Sequence, residues 1–147
     1  MNREIKFRIW ADNKFYNKCL VGNTNNTNDE KWTCPMVWLE KQKEWVSCDN
    51  GIICQYTGLK DENGKEIYEG DVIEFSYDVF TGNFDTKVAK GTIEFIDGAF
   101  YIKPFEIEGK KIKDTDTEEW FLLSIVNTDT LKVLGNVHEN LELLGGE

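Results

Sequence analysis

Val88-Ala89-Lys90-Gly91-Thr92-Ile93-Glu94-Phe95-Ile96-Asp97-Gly98-Ala99-Phe100-Tyr101-Ile102-Lys103-Pro104-Phe105 is the stretch that decides the fold. Ile93 and Phe95 fall on one face of an extended segment, and Asp97-Gly98 is a two-residue reversal of the kind that tolerates positive φ. The spacing predicts an antiparallel hairpin, with the strand from Val88 to Ile96 returning from Ala99 to Phe105. Working backward, Gly70-Asp71 turns the chain into the alternating run Val72-Ile73-Glu74-Phe75-Ser76-Tyr77. Before it, Ile52 to Thr57 is β-rich and ends at Gly58, and Asp61-Glu62-Asn63-Gly64-Lys65 holds the Asn-Gly pair favoured in tight turns. Working forward, Ile107 to Glu119 is a charged connection. Trp120 to Val126 is apolar without clear period, so a buried strand and a short helix are both allowed. Leu131 to Leu134 reads as a last strand closed by Gly135-Asn136, and Val137 to Leu144 as a single helical turn.

The amino-terminal third follows the same habit. Ile5, Phe7 and Ile9 alternate with Lys6, Arg8 and Trp10, the period of a half-buried strand with a basic, aromatic-tipped face. Residues 22 to 30 are rich in turn formers and predict an exposed loop. Met36 to Leu39 and Trp45-Val46 flank the polar Glu40 to Glu44, which fits a hairpin or one turn of helix. Short strands broken by glycine turns favour a mainly β domain: a small SH3-like or OB-like barrel, with an additional amino-terminal strand region and at most short helices. The expected organisation is one domain over 1–147 with its barrel core at 52–144.

The chain has 147 residues, 40% of them hydrophobic, enough for one ordinary core despite 30% charged residues. No apolar stretch approaches the roughly 20 residues of a membrane span, and the opening residues lack the apolar core of a secretory signal. A cytoplasmic, membrane-free protein is expected. The net charge of −10 divides unevenly, +1 over residues 1–50 and −11 over 51–147. Such a balance works against nonspecific binding to a phosphate backbone, so nucleic acid is not an expected partner. Cys19, Cys34, Cys48 and Cys54 stand 15, 14 and 6 apart, outside zinc-knuckle spacing, and read as small, mostly buried, reduced side chains.

Motifs for catalysis are sparse. His138 is the lone imidazole, and the chain has no Gly-x-Ser-x-Gly elbow, His-Glu-x-x-His or phosphate loop. Asp61, Glu62, Glu66, Glu69 and Asp71 put five carboxylates within eleven residues. As an EF-hand they fail, because Gly64 is fourth from Asp61 where that loop needs glycine at the sixth position. A solvated hairpin explains them. Trp10, Tyr16 and Tyr56 with Arg3, Lys6 and Arg8 offer a base-stacking face, against which stands ordinary cross-strand packing. No catalytic, cofactor-binding or metal-binding residue is assigned.

The nineteen residues from Gln55 to Ile73, Gln-Tyr-Thr-Gly-Leu-Lys-Asp-Glu-Asn-Gly-Lys-Glu-Ile-Tyr-Glu-Gly-Asp-Val-Ile, resemble the YopX family of phage and prophage proteins. Ile5 to Trp10 is similar to that family's first strand, and Val133 to Asn140 with Glu142 to Leu144 to its close; Leu141 departs from the proline common there. The resemblance implies a protein of mobile genetic elements and transfers no catalytic residue. Its matching positions have structural roles to fill: Gly58, Gly64, Gly70 and Gly135 at turns, Asp71 and Asn136 bonding nearby backbone amides. Glu69 and Glu139 lack such an account and are the candidate partner contacts.

The expected function is therefore noncatalytic: an accessory protein acting by protein binding or assembly, as a homo-oligomer and without cofactor. Two alternatives belong to other classes. One is an acidic DNA mimic that occupies a host enzyme's groove; the other is a metal-dependent nuclease or replication enzyme using the Asp61 to Asp71 cluster.

Overall fold

A computed structural model describes residues 4–25, 31–112 and 120–144 of the chain. It is mainly β, with curled sheets of a small barrel-like fold. The backbone divides into two compact units, Met1–Tyr56 and Thr57–Glu147. Sequence alone predicts one domain over the whole chain, with its barrel core beginning at 52.

In the first unit, β1 (Phe7–Ala11) pairs antiparallel with β2 (Lys14–Tyr16), and β3 (Cys19–Asn25), β4 (Lys31–Leu39) and β5 (Glu44–Ser47) form a three-stranded antiparallel sheet. The start of β6 (Ile52–Lys60) pairs with β1, matching Phe7 with Gln55 and Ile9 with Ile53. Ile9 is fully buried, as the alternation requires, but the strand begins at Phe7 and leaves Ile5 exposed. The polar segment after Leu39 is a hairpin turn, with Lys43 in the left-handed region at φ 57°.

The expected exposed loop at 22–30 needs correction. Residues 22–25 belong to β3, with Gly22 opposite Cys34 and Asn25 opposite Lys31. Asn and Thr are turn formers by side chain, but a ladder of backbone bonds satisfies their amides equally well, and composition does not separate the two. The remainder of that segment, 26–30, lies outside the described residues, as do Arg3 and the acidic stretch 113–119.

In the second unit, β6 ends beside β7 (Glu66–Tyr68), and five strands run in the order β11-β10-β9-β8-β13: β8 is Asp71–Phe80, β9 Phe84–Ile96, β10 Ala99–Ile107, β11 Lys110–Lys111 and β13 Lys132–Asn136. A sixth, β12 (Phe121–Leu122), pairs with β10. The deciding hairpin forms in the expected register, Ile93 against Ile102 and Phe95 against Phe100, and both reversal residues have positive φ, Asp97 at 51° and Gly98 at 84°. Within β9, a Cβ at Gly91 would stand 2.7 Å from Ile102 Cγ2 and from the Lys103 carbonyl, so only glycine lets β10 come so near.

The core of this unit is Ile67, Ile73, Phe75, Ala89, Ile93, Ile102, Leu123 and Leu131. Burial alternates along β9, with Ala89, Gly91 and Ile93 inward. The ambiguous run Trp120 to Val126 resolves into both alternatives: β12, then a 3-10 turn at Leu123–Ile125 that buries Leu123. Further 3-10 turns follow at Thr128–Thr130 and at Leu141–Leu144, the latter supplying the expected helical end. Among the described residues, no helix is long and apolar enough to cross a membrane.

Candidate functional site

The residues of the central block converge on two carboxylates, each of which fixes backbone. Asp61 ends the β6 side of the β6–β7 turn and is buried. Its Oδ1 accepts from the backbone N–H of Asn63 and of Lys65, both at 2.9 Å, and its Oδ2 from that of Val133 at 2.9 Å. One side chain thus shapes the turn and fastens it to β13. Burial pushes the carboxyl up, but the three amides of Val133, Lys65 and Asn63, with the Lys65 charge, outweigh it and hold Asp61 below the ordinary aspartate range.

Asp71, 2% exposed, opens β8. Its Oδ2 accepts from the Tyr68 amide at 2.8 Å and its Oδ1 from Asn136 Nδ2 at 3.1 Å. Asn136 Oδ1 in turn accepts from the His138 amide at 2.8 Å, and the Asn136 amide donates to Asn140 Oδ1 at 3.2 Å. The turns that flank this clasp are joined as well, since the Val137 amide donates to the Gly70 carbonyl at 2.9 Å. Gly70 has φ +87°, and Nε2 of His138 lies 3.7 Å from where its Cβ would be.

The sequence-selected residues sort accordingly. Gly58, Gly64 and Gly70 have the positive φ expected of them. Gly135 does not; a Cβ there would stand 2.5 Å from Asn140 Oδ1 and 2.6 Å from Leu143 Cδ1, so this glycine supplies space for the chain's closing turn rather than a left-handed backbone. Asp71 and Asn136 bond backbone amides, as expected. Glu69 is half-buried beside Gly70, and Glu139 is exposed beside His138. Asp61 and Asp71 bind separate sets of amides. Among the described residues, no group of three or more His, Cys, Asp or Glu side chains is placed to hold a metal ion. Cys54 is buried, while Cys19 and Cys48 are half-buried free thiols of the first unit; His138 belongs to the second.

A cleft of about 600 Å³ opens against the same turns. Gly70 and Val137 form part of its wall, with Ile93, Lys103, Trp120 and Leu144. Lys103 Nζ lies 5.3 Å from the Trp120 ring centroid, and Tyr101 meets that ring edge to face at 6.4 Å. Sequence reasoning missed this cleft, because its walls come from segments on both sides of the 113–119 stretch and from the β9–β10 hairpin. A second feature it missed is the tip of the β8–β9 hairpin, where Phe80 and Phe84 are 65% and 82% exposed with ring centroids 4.9 Å apart.

The postulated base-stacking face is not assembled. Tyr56 is buried, with Lys6 Nζ 4.8 Å from its centroid. Trp10 stands opposite Phe15, which also carries the Arg8 guanidinium at 3.9 Å, whereas Tyr16 stands opposite Ile9 on the other face of the ribbon.

Fold and site together define a small, mainly β, barrel-like protein in which two turns, at Gly70 and Val137, help to wall a cleft. The YopX protein family model matches residues 6–145, and the chain belongs to that family. Among solved structures it is similar to protein EF1440 from Enterococcus faecalis, at 22% identity and TM-score 0.52 over 97% of this chain and 99% of that one. It is also similar to YopX from Bacillus subtilis, at 17% identity and TM-score 0.48 over 93% and 95% of the two chains. None of the curated proteins compared matches it.

Proposed function

We propose that this chain is a noncatalytic phage or prophage accessory protein that acts in the cytosol by binding another protein, and that the cleft beside Gly70 and Val137 is where the partner docks. The observation that carries this reading is that two of the family's turns, through Gly70 and Val137, contribute to the cleft wall. Ile93, Pro104, Phe105, Ile112, Val137 and Leu144 give that wall an apolar floor, and Trp120 with Lys103 gives it an amphipathic rim. Burying one large apolar side chain of a partner there is worth about 1.5–3 kcal/mol. Glu69 and Glu139 adjoin these turn residues in sequence and suit basic residues flanking such an anchor.

The test is affinity capture from host lysate at low and high salt, with the wild type, Val137→Asp, and Glu69→Gln/Glu139→Gln. Docking in the cleft requires Val137→Asp to lose the partner at both salts and the glutamate pair to weaken capture chiefly at low salt. Capture indifferent to all of these, or turnover of nucleotide or nucleic acid by purified protein that His138→Ala abolishes, would refute the reading.

Self-assembly is a second reading, favoured by Phe80 and Phe84 exposed at one hairpin tip. It requires a concentration-dependent mass in light scattering that Phe84→Ser removes.

A further inference from the structure

The first unit carries a cavity of about 590 Å³ whose charge is opposite to that of the molecule. Lys14, Tyr16, Lys18, Trp38 and Lys41 line it, in a protein with a net charge of −10. Two of the ammonium groups are already positioned: Lys14 Nζ lies 4.7 Å from the Tyr16 centroid, and Lys18 Nζ 4.1 Å from that of Trp38. A free surface lysine loses rotamer freedom when it grips an anion; one lodged on a ring face has part of that loss behind it.

Glu40, the carboxylate among the lining residues, offsets Lys18 in part, since the Lys18 charge acts on it. It is ion-paired with Lys43 and accepts a hydrogen bond from Trp38 Nε1 at 2.6 Å. That leaves Lys14 and Lys41, with Lys18 partly offset, to face an incoming anion. The volume lies within the ~300–1,000 Å³ of small-ligand sites, too roomy for phosphate alone and suited to a nucleotide unit. Flat rings interleaved with cations are what single-strand sites use, stacking bases while neutralising the backbone. A duplex would need a long basic face, which this chain's −10 does not provide. The overall charge argues against tracking a polyanion, but not against gripping three phosphates locally.

We propose that this cleft binds a short segment of single-stranded nucleic acid, with phosphates on Lys14, Lys18 and Lys41 and a base packed beside the edges of the Tyr16 and Trp38 rings, whose faces the Lys14 and Lys18 ammonium groups hold. The proposal is independent of the docking cleft in the second unit. Its test is fluorescence anisotropy of a fluorescein-labelled twelve-residue oligothymidylate titrated with the full chain at 50 and 200 mM salt. Saturable binding is expected, weaker by on the order of twenty-fold at the higher salt, given a slope of about −0.7 per phosphate and three phosphates. Lys14→Gln/Lys18→Gln should weaken it at least tenfold and flatten the salt dependence, while Lys110→Gln/Lys111→Gln in the second unit leaves it unchanged. Should the double variant lose its β circular-dichroism spectrum, Lys41→Gln, on the neighbouring hairpin, takes its place and should weaken binding about threefold. Absence of saturable binding, equal loss in the Lys110/Lys111 variant, tighter binding to a duplex of the same length, or equal displacement by inorganic phosphate or polyglutamate would each overturn the proposal.

Discussion

Asn136 Nδ2 donates to Asp71 Oδ1 at 3.1 Å, joining two residues that also face each other in the β8–β13 ladder. Both side chains are buried, at 3% and 2% exposure, so neither end of this bond has water as a substitute. The clasp holds the turn before β8 and the turn after β13 in one arrangement, and both turns wall the proposed docking cleft.

Asn136→Ala removes the amide that Asp71 Oδ1 accepts from and the oxygen that holds the His138 amide. A loss of about 2–3 kcal/mol is expected, the usual penalty when buried polar groups lose a partner. Urea unfolding followed by tryptophan fluorescence measures it, and a loss within about 0.5 kcal/mol would show that the clasp is not rigid.

Asp61 governs a pH dependence whose sign is fixed. Its folded-state carboxyl is held below the ordinary aspartate range, so the unfolded chain takes up its proton first. The stability this contributes is present above about pH 4 and is lost as pH falls through the lowered folded value. Asp61→Asn should therefore be less stable than wild type at pH 7, with the gap narrowing steadily below pH 4. Parallel urea midpoints from pH 7 to pH 3 would contradict this.

Gly135→Ala and Gly22→Ala form a matched pair. The first drives a methyl to 2.5 Å from Asn140 Oδ1 and 2.6 Å from Leu143 Cδ1, whereas the second meets nothing within 4 Å and has no left-handed backbone. The expected cost is about 1–3 kcal/mol for Gly135→Ala, from overpacking. Gly22→Ala should be neutral or gain a few tenths of a kcal/mol by restricting the unfolded chain. Thermal melts of the two variants give the comparison.

Cys19 and Cys48 should react slowly with iodoacetamide. Burial pushes both thiols up, and Asp12 and Asp49 add to the effect at Cys48. Less thiolate is then present at neutral pH than in a free cysteine peptide, and the labelling rate should keep rising above the pH at which the peptide levels off. Mass spectrometry of timed reactions at pH 7 to 10 reads the rates; Cys48 labelling as fast as the peptide at pH 7.5 would refute this.

Local chemistry made much of the second unit readable. Asp97-Gly98 announces its own turn, and the alternation through Ile93 sets the register of β9 on β10. Asp61, Asn63 and Gly64 likewise mark a reversal whose amides are all within four residues. Asp61 also reaches Val133, 72 residues away, and Asp71 reaches Asn136, 65 away; nothing periodic relates such positions. In the first unit the Asn- and Thr-rich residues 22–25 look like loop because a polar edge strand and a loop share a composition. The cationic cleft was hidden for another reason. Its lysines come from separate segments, Lys14 and Lys18 on one side of β3 and Lys41 from the β4–β5 turn, and only pairing brings them together.

The reach of the Asp61 and Asp71 bonds bears on how the chain acquires its shape during synthesis. A growing polypeptide on the ribosome can zip the β8–β9 and β9–β10 hairpins as soon as they emerge, since each closes on near neighbours. Neither carboxylate can meet its distant partner until Val133 and Asn136 have also left the exit tunnel, so the final tightening of the second unit follows the closing of both hairpins.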